Sequence, residues 1–405
     1  DINAKVLEQG MQYCRSVIEK RVKTRKMKPQ QAQHFLSRLT STTELQDLHQ
    51  CELVVEAVVE SMKIKQSILD KLDKITPPSA LLLSNASTLD IDRMAYSLPP
   101  QRRSQFAGWH FFSPAHVMKL VEIVVGRETD VSVVATLQTL SKRLKKTAVV
   151  VGNCDGFCGN RLLKPYSAES TLILTEGCSH DIAAVDKVLT DFGMALGPFQ
   201  MGDLAGNDVG YNIRKERKWA RVQETDSIPV NRPDRYTELP DVMVSKYYRL
   251  GQKSSGGWYD YDPAIGKGRT PLSSSLMNEL VHQFRSPSPL RFSNEEVLER
   301  CLYPLVNEGF LCLEEGIVRS PADIDVVYLY GYGWPVWMGG PMHWADHVVT
   351  LPVLLKRLSF WSEKYPNTPH FQSSALLRRC VELGTTVEDY FKRERAQSTG
   401  RLSRL

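Results

Sequence analysis

The sequence predicts a doubly wound α/β domain followed by a helical domain that occurs twice. Three observations support this prediction. Predicted strands and helices alternate over residues 51–151, and long helical patterns with Gly- and Pro-rich loops follow Gly152. A helical segment then recurs 139 residues further along the chain. With 405 residues, the chain has room for about two to three such domains.

The first part of the chain carries the strand and helix patterns. Apolar residues at three- and four-residue steps predict an amphipathic helix over residues 1–26. A buried strand is predicted at 51–59, and further strands at 80–84, 106–112, 119–125 and 148–151. The intervening helices are predicted at 62–72, 90–98 and 131–144. Alternation of this kind favours a sheet with helices packed against it.

The repeat sets the domain boundaries of the rest of the chain. Residues 161–177 match residues 300–316, and the same offset of 139 relates Asp186 to Asp325. A Gly-Pro turn also recurs, at Gly197 and Gly340. We therefore predict the following parts: an α/β domain at 1–152, a first helical unit at 153–261, an exposed link at 262–293, a second helical unit at 294–384 and a tail at 385–405.

Composition narrows the class of protein. With 42% hydrophobic and 24% charged residues, the chain is typical of a globular protein and not of a disordered or collagen-like one. The net charge of +5 favours an anionic small molecule over nucleic acid as partner. No apolar run approaches the roughly 20 residues of a membrane span. Eight scattered cysteines indicate a reducing compartment, and since Cys154 and Cys158 lack a second ligand pair, we expect no metal site.

The segment from Ser84 to Thr88 leaves a predicted strand and enters a predicted helix. Ser87 or Thr88 is suited to cap that helix, which is a purely structural role. However, the carboxyl ends of strands in an open α/β sheet form the ligand crevice, so these hydroxyls are also placed to face a cofactor.

A histidine and a glutamate lie in consecutive predicted strands. If a turn near residues 113–116 makes the strands antiparallel, His110 and Glu122 meet. A carboxylate on one ring nitrogen fixes the tautomer and leaves the other nitrogen ready to act as a general base. The alternative is a buried pair that serves packing alone, and spacing does not separate the two.

Five segments together resemble the (S)-3-hydroxyacyl-CoA dehydrogenases of fatty-acid β-oxidation: LVVEAVVE at 53–60, SNAS at 84–87, HFFSP at 110–114, GFCGNR at 156–161 and FGMALGPF at 192–199. VVGNC at 150–154, DLAG at 203–206, the second helical copy and the terminal Ser-Arg-Leu are similar to the bifunctional peroxisomal branch of that family. The resemblance implies a Rossmann-like NAD-binding domain followed by a duplicated all-α dehydrogenase C-terminal domain.

The resemblance also implies roles for individual residues. His110 would take the proton of the substrate's 3-hydroxyl while a hydride passes from C3 to NAD, and Glu122 would hold and polarise His110. Ser87 and Asn160 would bind the substrate oxygen. The implied positions around the cofactor are Asp1, Glu60, Lys65, Ser87, Ser113 and Lys253, with Ser113 standing where the family commonly has asparagine.

One family feature is missing from the sequence. No Gly-x-Gly-x-x-Gly motif occurs in it, although the family's first strand, phosphate-binding loop and first helix should stand just before Asp1. We therefore expect the chain to be a piece of a longer protein and to bind NAD poorly alone. Loss of a central strand would also leave residues 54–58 at an open sheet edge.

The remaining expectations concern partners and location. The resemblance implies an acyl-CoA substrate, and the basic run from Lys20 to Lys28 is either a solvated helix end or a seat for the phosphates of coenzyme A. Ser403, Arg404 and Leu405 resemble a peroxisomal address, which predicts an import receptor as partner and the peroxisomal matrix as location.

A monomer is expected, because the second helical copy could cover the surface through which single-copy relatives pair. We interpret six residues as packing or interface residues: His116, His343, His347, Trp334, Trp337 and Trp344. Two alternative functions stay open: a catalytically silent product that keeps the fold, and a dehydrogenase for a hydroxy acid without coenzyme A.

Overall fold

The computed structural model describes residues 1–221, 228–229 and 231–402, with the side chains of residues 396–402 left out of the description. The chain divides into two compact units. The first comprises Asp1–Gly108 and Gly126–Ala135, and the second comprises Trp109–Val125 and Thr136–Leu405. A search of the described residues finds no helix long and apolar enough to cross a membrane.

The strands are β1 (Leu53–Glu56), β2 (Leu81–Ser84), β3 (Phe106–Phe111), β4 (Leu120–Val125) and β5 (Thr147–Gly152). The helices up to β5 are α1 (Ala4–Lys23), α2 (Pro29–Leu36), α3 (Met62–Ile75), α4 (Ile91–Ala95), α5 (Pro100–Arg103) and α6 (Val131–Arg143). The later helices are α7 (Gly159–Glu176), α8 (Ile182–Phe192), α9 (Pro198–Ala205), α10 (Asn207–Glu216), α11 (Leu239–Ser245), α12 (Ser275–Gln283), α13 (Asn294–Glu314), α14 (Pro321–Gly331), α15 (Pro341–Trp344), α16 (Leu351–Lys364), α17 (Ala375–Glu382) and α18 (Val387–Leu402).

The strands lie in one sheet in chain order, β1-β2-β3-β4-β5. Strands β1, β2 and β3 run parallel, as do β4 and β5. In the register of the first three, Glu56 lies beside Ser84 and Ser84 beside Gly108. Because parallel strands end at the same edge, the loops that follow β1 and β2 are neighbours at that edge. The predicted α/β class is confirmed.

The core of the first unit lies between its strands and α3. Leu69 and Leu72 of α3 are buried, together with Leu82 and Leu83 of β2. The prediction of a buried strand at 51–59 was wrong in length and burial, since β1 covers only Leu53–Glu56 at the sheet edge and Val55 is 36% exposed.

The internal repeat is confirmed in the second unit. Helices α7 and α13 match, each with a proline at the corresponding position, Pro165 and Pro304. The next helices of each copy, α8 and α14, also correspond, and each is followed by a Gly-Pro turn that begins α9 or α15.

Buried carboxylates hold these turns in both copies. Asp186 accepts hydrogen bonds from the backbone N–H groups of Phe199 and Gln200 at 2.9 and 3.1 Å. Asp325 accepts them from Met342 and His343 at 2.7 and 3.4 Å. Each aspartate therefore satisfies N–H groups that the first turn of a helix leaves unpaired.

Reciprocal ion pairs join α7 and α13. Arg161 of the first copy binds Glu308 at 3.0 Å and Glu315 at 2.6 Å. Arg300 of the second copy binds Glu169 at 2.6 Å and Glu176 at 2.8 Å. Since Arg300, Glu308 and Glu315 stand 139 residues after Arg161, Glu169 and Glu176, the two copies pair as the subunits of a two-fold dimer do.

The segment 262–293 differs from the exposed link that the sequence predicts. It contains α12, whose Met277, Leu280 and Val281 are buried. The carbonyl of Leu290 also accepts a hydrogen bond from the N–H of Cys178 at 2.9 Å. The serines and prolines that suggested a link flank a short packed helix.

Candidate active site

The strongest site geometry is the pair His110 and Glu122. His110 lies on β3 and Glu122 on β4, and the two residues are 4% and 0% exposed. The ring Nδ1 of His110 lies 2.9 Å from Oε2 of Glu122. In that arrangement Nδ1 carries the hydrogen and Nε2 is the basic nitrogen. The predicted meeting of these side chains is confirmed.

The second oxygen of Glu122 is held by the start of α7. Its Oε1 accepts a hydrogen bond from the backbone N–H of Gly159 at 2.9 Å. The positive end of the helix dipole favours a negative carboxylate at this place. Residue 159 must be glycine, because a Cβ there would lie 2.6 Å from the ring and hydroxyl of Tyr332. Glu122 is thus fixed at both oxygens.

Asn160 is the next residue of α7. Its Oδ1 accepts a hydrogen bond from the hydroxyl of Tyr332 at 2.8 Å. Because the tyrosine engages the carbonyl oxygen, the amide nitrogen with its two donors is turned the other way. The same helix end therefore supports Glu122 through Gly159 and carries Asn160, whose Oδ1 is held by Tyr332.

Aromatic rings surround the imidazole. The His110 ring centroid lies 4.6 Å from that of Phe112 and 5.7 Å from that of Phe157. Phe112 in turn meets the Tyr332 ring edge-on at 5.6 Å. Apolar rings exclude water from the dyad, and this strengthens the hydrogen bond between His110 and Glu122. Burial also raises the pKa of the Tyr332 hydroxyl well above its usual range, so it stays a donor.

In the first unit, Glu60 organises the loop that follows β2. Its Oε1 accepts hydrogen bonds from the backbone N–H groups of Ser87 and Thr88 at 2.8 and 2.9 Å. The prediction that Ser87 or Thr88 caps the next helix was wrong. Asp90 caps α4 instead, because its Oδ1 accepts from the N–H groups of Asp92 and Arg93.

Lys65 lies in a buried network that the sequence analysis missed. Its Nζ lies 3.1 and 3.0 Å from the two oxygens of Glu56 and 3.6 Å from Oε2 of Glu60. The hydroxyl of Ser84 donates to Glu56 as well. A glutamate inside an apolar strand was the available signal, since a buried charge requires a partner. Lys65 itself is only 1% exposed, so it binds Glu56 and Glu60 from a buried position.

Three further predicted cofactor residues have other neighbours. Asp1 is exposed, and its Oδ1 accepts from the N–H of Asn3 at 2.9 Å. Ser113 is exposed in the turn after β3 and precedes Pro114 through a cis peptide bond. Lys253 pairs with Asp208 at 2.5 Å. The contacts of these residues connect them neither to Glu60 and Lys65 nor to the dyad within the described part of the chain.

The loop after β1 can be tested for its fit to NAD. Val58 and Val59 are 38% and 65% exposed and stand next to Glu60, whose side chain is 34% exposed. Apolar surface beside a hydrogen-bond acceptor suits the flat nicotinamide ring with its polar amide. The described residues contain no glycine-rich loop at a helix N-terminus for the pyrophosphate. The residues present therefore fit the nicotinamide end of the cofactor.

The remaining predicted residues are the basic run, three tryptophans, three histidines and the terminal tripeptide, and their exposure agrees with the predictions only in part. The basic residues Lys20 to Lys28 are exposed at and beyond the end of α1. Trp334 and Trp344 are buried as packing residues, whereas Trp337 is 73% exposed. His116, His343 and His347 are exposed, which argues against packing and leaves their predicted interface role untested. Ser403, Arg404 and Leu405 lie outside the described residues.

Burial raises the pKa of the Cys154 thiol to about 11 and that of Cys158 well above its usual range. For Cys158, a hydrogen bond with Cys312 contributes before burial does. Thiols held in the neutral form are poor nucleophiles and poor metal ligands. Cys158 is buried, whereas Cys154 is half-buried.

Comparison with solved structures places the chain among dehydrogenases. The chain superposes with a TM-score of 0.75 on a 3-hydroxybutyryl-CoA dehydrogenase from Escherichia coli K12, at 23% identity over 95% of this chain and 92% of that one, which shows a common fold. The dehydrogenase part of multifunctional enzyme 1 from C. elegans gives 0.59 at 29% identity, with 90% and 80% of the chains covered.

Sequence comparison assigns the family. The chain is 41% identical over 389 residues to the peroxisomal bifunctional enzyme of Danio rerio, covering 94% of this chain and 52% of that protein. It thus spans about half the length of the curated relatives it matches. The model of the 3-hydroxyacyl-CoA dehydrogenase NAD-binding domain matches residues 1–154, and that of the C-terminal domain matches 156–261 and 297–390. The chain therefore belongs to the NAD-dependent 3-hydroxyacyl-CoA dehydrogenase family.

Proposed function

We propose that this chain oxidises (S)-3-hydroxyacyl-CoA to 3-ketoacyl-CoA in fatty-acid β-oxidation. The observation that carries the proposal is the buried pair of His110 and Glu122, 2.9 Å apart, with Gly159 on the second carboxylate oxygen. NAD supplies the hydride acceptor when bound. The names of the relatives and of the matching domains support the substrate class.

His110 is the general base of the proposed reaction. Its Nδ1–H donates to Glu122, so Nε2 takes the proton of the 3-hydroxyl as the carbonyl forms. The imidazolium that results lies beside the Glu122 carboxylate, which stabilises the new positive charge. The hydrogen bond from Gly159 keeps Glu122 correctly oriented during this change.

Asn160 and Ser87 are the proposed partners of the substrate oxygen. Tyr332 orients the amide of Asn160, so that its N–H groups serve as donors to the 3-oxygen. Ser87 belongs to the loop that Glu60 holds through two backbone N–H groups. Fixed donors of this kind supply both positioning and charge stabilisation.

Residues of the first unit are the proposed holders of the cofactor. Glu60, Lys65 and Ser87 lie at the carboxyl edge of β1 and β2, with Lys65 setting the position of Glu60 from beneath. Asp1, Ser113 and Lys253 remain proposals from the family resemblance. Each of them is tested by the change in KM for NAD upon substitution by alanine.

The test is the consumption of NADH with acetoacetyl-CoA, since this reverse reaction is followed by the loss of NADH absorbance. We would assay this chain and a version extended at its N-terminus, each with His110→Ala and Glu122→Gln variants. His110→Ala should lower kcat by about 10²- to 10⁴-fold, the range that a general base contributes. His282→Ala, an exposed histidine on α12, is the matched control and should retain full activity.

Two outcomes would contradict the proposal. If folded protein fails to turn over in both forms, the catalytically silent product becomes the better explanation. If it reduces a ketoacid without coenzyme A and ignores acetoacetyl-CoA, the chain is a dehydrogenase for another hydroxy acid. Activity of the extended form alone would support the proposal together with the expected need for a phosphate-binding loop.

Location and import are proposed on separate grounds. The relatives named peroxisomal bifunctional enzyme support a peroxisomal location, and the terminal Ser403, Arg404 and Leu405 support recognition by an import receptor. A fluorescent protein carrying residues 385–405 at its C-terminus should enter peroxisomes. Removal of Leu405 should return it to the cytosol, and import without Leu405 would contradict the proposed signal.

A monomeric state is proposed from the repeat. The reciprocal pairs of Arg161 and Arg300 already make a two-fold interface inside one chain, so the surface that a partner would need is in use. Sedimentation equilibrium should give the mass of one chain. A concentration-independent dimer would contradict this proposal.

A further inference from the structure

We propose that His343, His347 and Glu388 form a binding site for a divalent zinc-like cation on the surface of the second helical unit. The ligand atoms of these three side chains all lie within 4.8 Å of one another, and all three residues are exposed. The site is separate from the dyad of His110 and Glu122 and has no part in the proposed reaction. Its test is therefore independent of dehydrogenase activity.

The ligand set has the chemistry of a zinc site. Two imidazoles and one carboxylate are common protein ligands of Zn²⁺, with the fourth position left to water. Two ligand atoms in a tetrahedral site with bonds of about 2.1 Å are roughly 3.4 Å apart. Side-chain rotations of about 1 Å bring atoms within 4.8 Å into that geometry, and exposed side chains have the freedom to make them.

The backbone brings the two histidines to one face. His343 belongs to α15, and His347 to the π-helical turn Ala345–Val349 that continues it. Their ring centroids are 4.4 Å apart. Residues four apart on a helical turn are neighbours on its surface. Such π-helical turns are rare, and they occur frequently at functional sites.

A buried carboxylate fastens the third ligand to the same turn. Asp346, which lies between the two histidines along the chain, accepts hydrogen bonds from the N–H groups of Val387 at 2.9 Å and Glu388 at 3.2 Å. These are the first residues of α18. The start of α18 is therefore joined to residues 343–347, and Glu388 is held beside His347 without any metal.

Lys392 contacts the carboxylate of the third ligand. Its Nζ lies 2.7 Å from Oε1 of Glu388. A cation bound at Oε2 can share the carboxylate with Lys392, since a carboxylate has two oxygens and about four lone-pair sites.

A bound cation is expected to link the start of α18 to residues 343–347, which carry the two histidines. The three ligands stand in two different segments, residues 343–347 and residue 388, so a bound cation ties the base of α18 to the body of the second unit. Binding to the folded form alone stabilises that form in proportion to the logarithm of ligand concentration.

The test is calorimetric titration of tag-free, chelator-treated protein with Zn²⁺. We expect one saturable site. His343→Ala and His347→Ala should each weaken binding at least about tenfold, because even the residues that support metal ligands contribute ten- to a hundredfold. Glu388→Gln should weaken it as well. His282→Ala, which removes an exposed histidine from α12, is the control and should bind Zn²⁺ as the parent does.

Hydrogen exchange gives a second measurement on the same proteins. Zn²⁺ should slow exchange at the first turn of α18 in the parent and leave it unchanged in His347→Ala. Absence of a saturable site would overturn the proposal, as would parent-like binding by both histidine variants. An equal loss of affinity in His282→Ala would overturn it too, because it would place the cation elsewhere.

Discussion

The two helical copies share a scaffold but differ at the start of their first helix. In the first copy, Gly159 and Asn160 open α7 and contact Glu122 and Tyr332. The positions 139 residues later hold Leu298 and Glu299. Glu299 is bound by Arg357 at 2.5 Å and by the indole N–H of Trp361 at 3.0 Å. These two positions begin the helix and serve the site in the first copy, whereas in the second copy they lie inside α13, which begins at Asn294, and serve packing.

The common part of the copies is a set of carboxylates at corresponding places. Asp186 and Asp325 each hold a Gly-Pro turn, and Asp203 and Asp346 each accept two backbone N–H groups from a later segment. These residues satisfy backbone groups that would otherwise be buried without a partner. Duplication thus preserved the structural devices, whereas the catalytic contacts remained in one copy. Function resides in the site and not in the fold.

The largest expected difference concerns the reciprocal arginines. Arg300→Met removes a fully buried arginine from Glu169, which keeps Arg235 at 2.6 Å and His370 at 2.7 Å, and should destabilise the protein by about 3 kcal/mol. Arg161→Met should cost only about 1 kcal/mol, because Glu315 is 48% exposed. Denaturant unfolding at neutral pH measures both. Equal losses would mean that the two halves of the interface carry the same energy in spite of their different burial.

Substitution of the glycine in each Gly-Pro turn should again cost more stability in the second copy than in the first. A Cβ at Gly197 would lie 2.3 Å from the carboxyl group of Asp186, and one at Gly340 would lie 2.4 Å from that of Asp325. Gly340 also has a φ of +101°, whereas Gly197 has −72°. Gly197→Ala should therefore cost about 1–3 kcal/mol, and Gly340→Ala about 1–2 kcal/mol more for the backbone strain.

Thermal unfolding of the two alanine variants, with Gly10→Ala on α1 as the control, tests this order. A Cβ at Gly10 meets nothing within 4 Å. A more severe loss at Gly197 than at Gly340 would contradict the argument from φ.

Substitutions of Asp186 and Asp325 should change the pH dependence of stability in different ways. Burial raises the pKa of Asp186 to about 6 and that of Asp325 to about 7. The folded protein then binds more protons than the unfolded chain between about pH 4 and these values, so stability falls as pH rises through that window. Asp325→Asn should remove part of the fall, since one oxygen, Oδ1, accepts both hydrogen bonds and an amide retains it.

Asp186→Asn should behave differently. Oδ1 and Oδ2 of Asp186 accept separate bonds, from Phe199 and from Gln200 and Tyr259. The amide loses the bonds of one oxygen, so this variant should be less stable than the parent at every pH. Unfolding curves from pH 4 to 8 give both results, and matching profiles for the two variants would refute the distinction.

The smallest effect is expected at Tyr332, through which the second copy reaches the site. Tyr332→Phe removes a hydrogen bond to Asn160 worth about 1 kcal/mol, which corresponds to roughly a fivefold loss in kcat. The KM for NAD should be unchanged. Tyr303→Phe on α13 is the matched control. A shift of KM alone would assign Tyr332 to binding instead of positioning.

The sequence was sufficient for local patterns and for pairs that are close along the chain. The helix and strand order followed from periodicity, and His110 and Glu122 were found because one turn separates their strands. Lys65 was found only by resemblance, and its partner Glu56 was hidden in an apolar strand. Tyr332 stands 172 residues from Asn160, and no local pattern predicts that contact.

Other errors had local causes. Ser87, Thr88 and Asp90 are all good caps, and the hydrogen bonds of Glu60 to the first two decide among them. The exposed link was inferred from serines and prolines, although the nine residues of α12 between them pack through three apolar side chains. Capping and packing of this sort depend on tertiary contacts that composition does not encode.

The hydrogen bond from Tyr332 to Asn160 couples the second helical copy to the site in the first. Tyr332 ends α14, in the copy that lacks a catalytic helix start. A gene that lost this copy would lose a support of the surviving site, and the remaining protein would need that hydroxyl from a second polypeptide. A substitution in the second half of the duplication can therefore alter the site in the first half without touching any residue of that half.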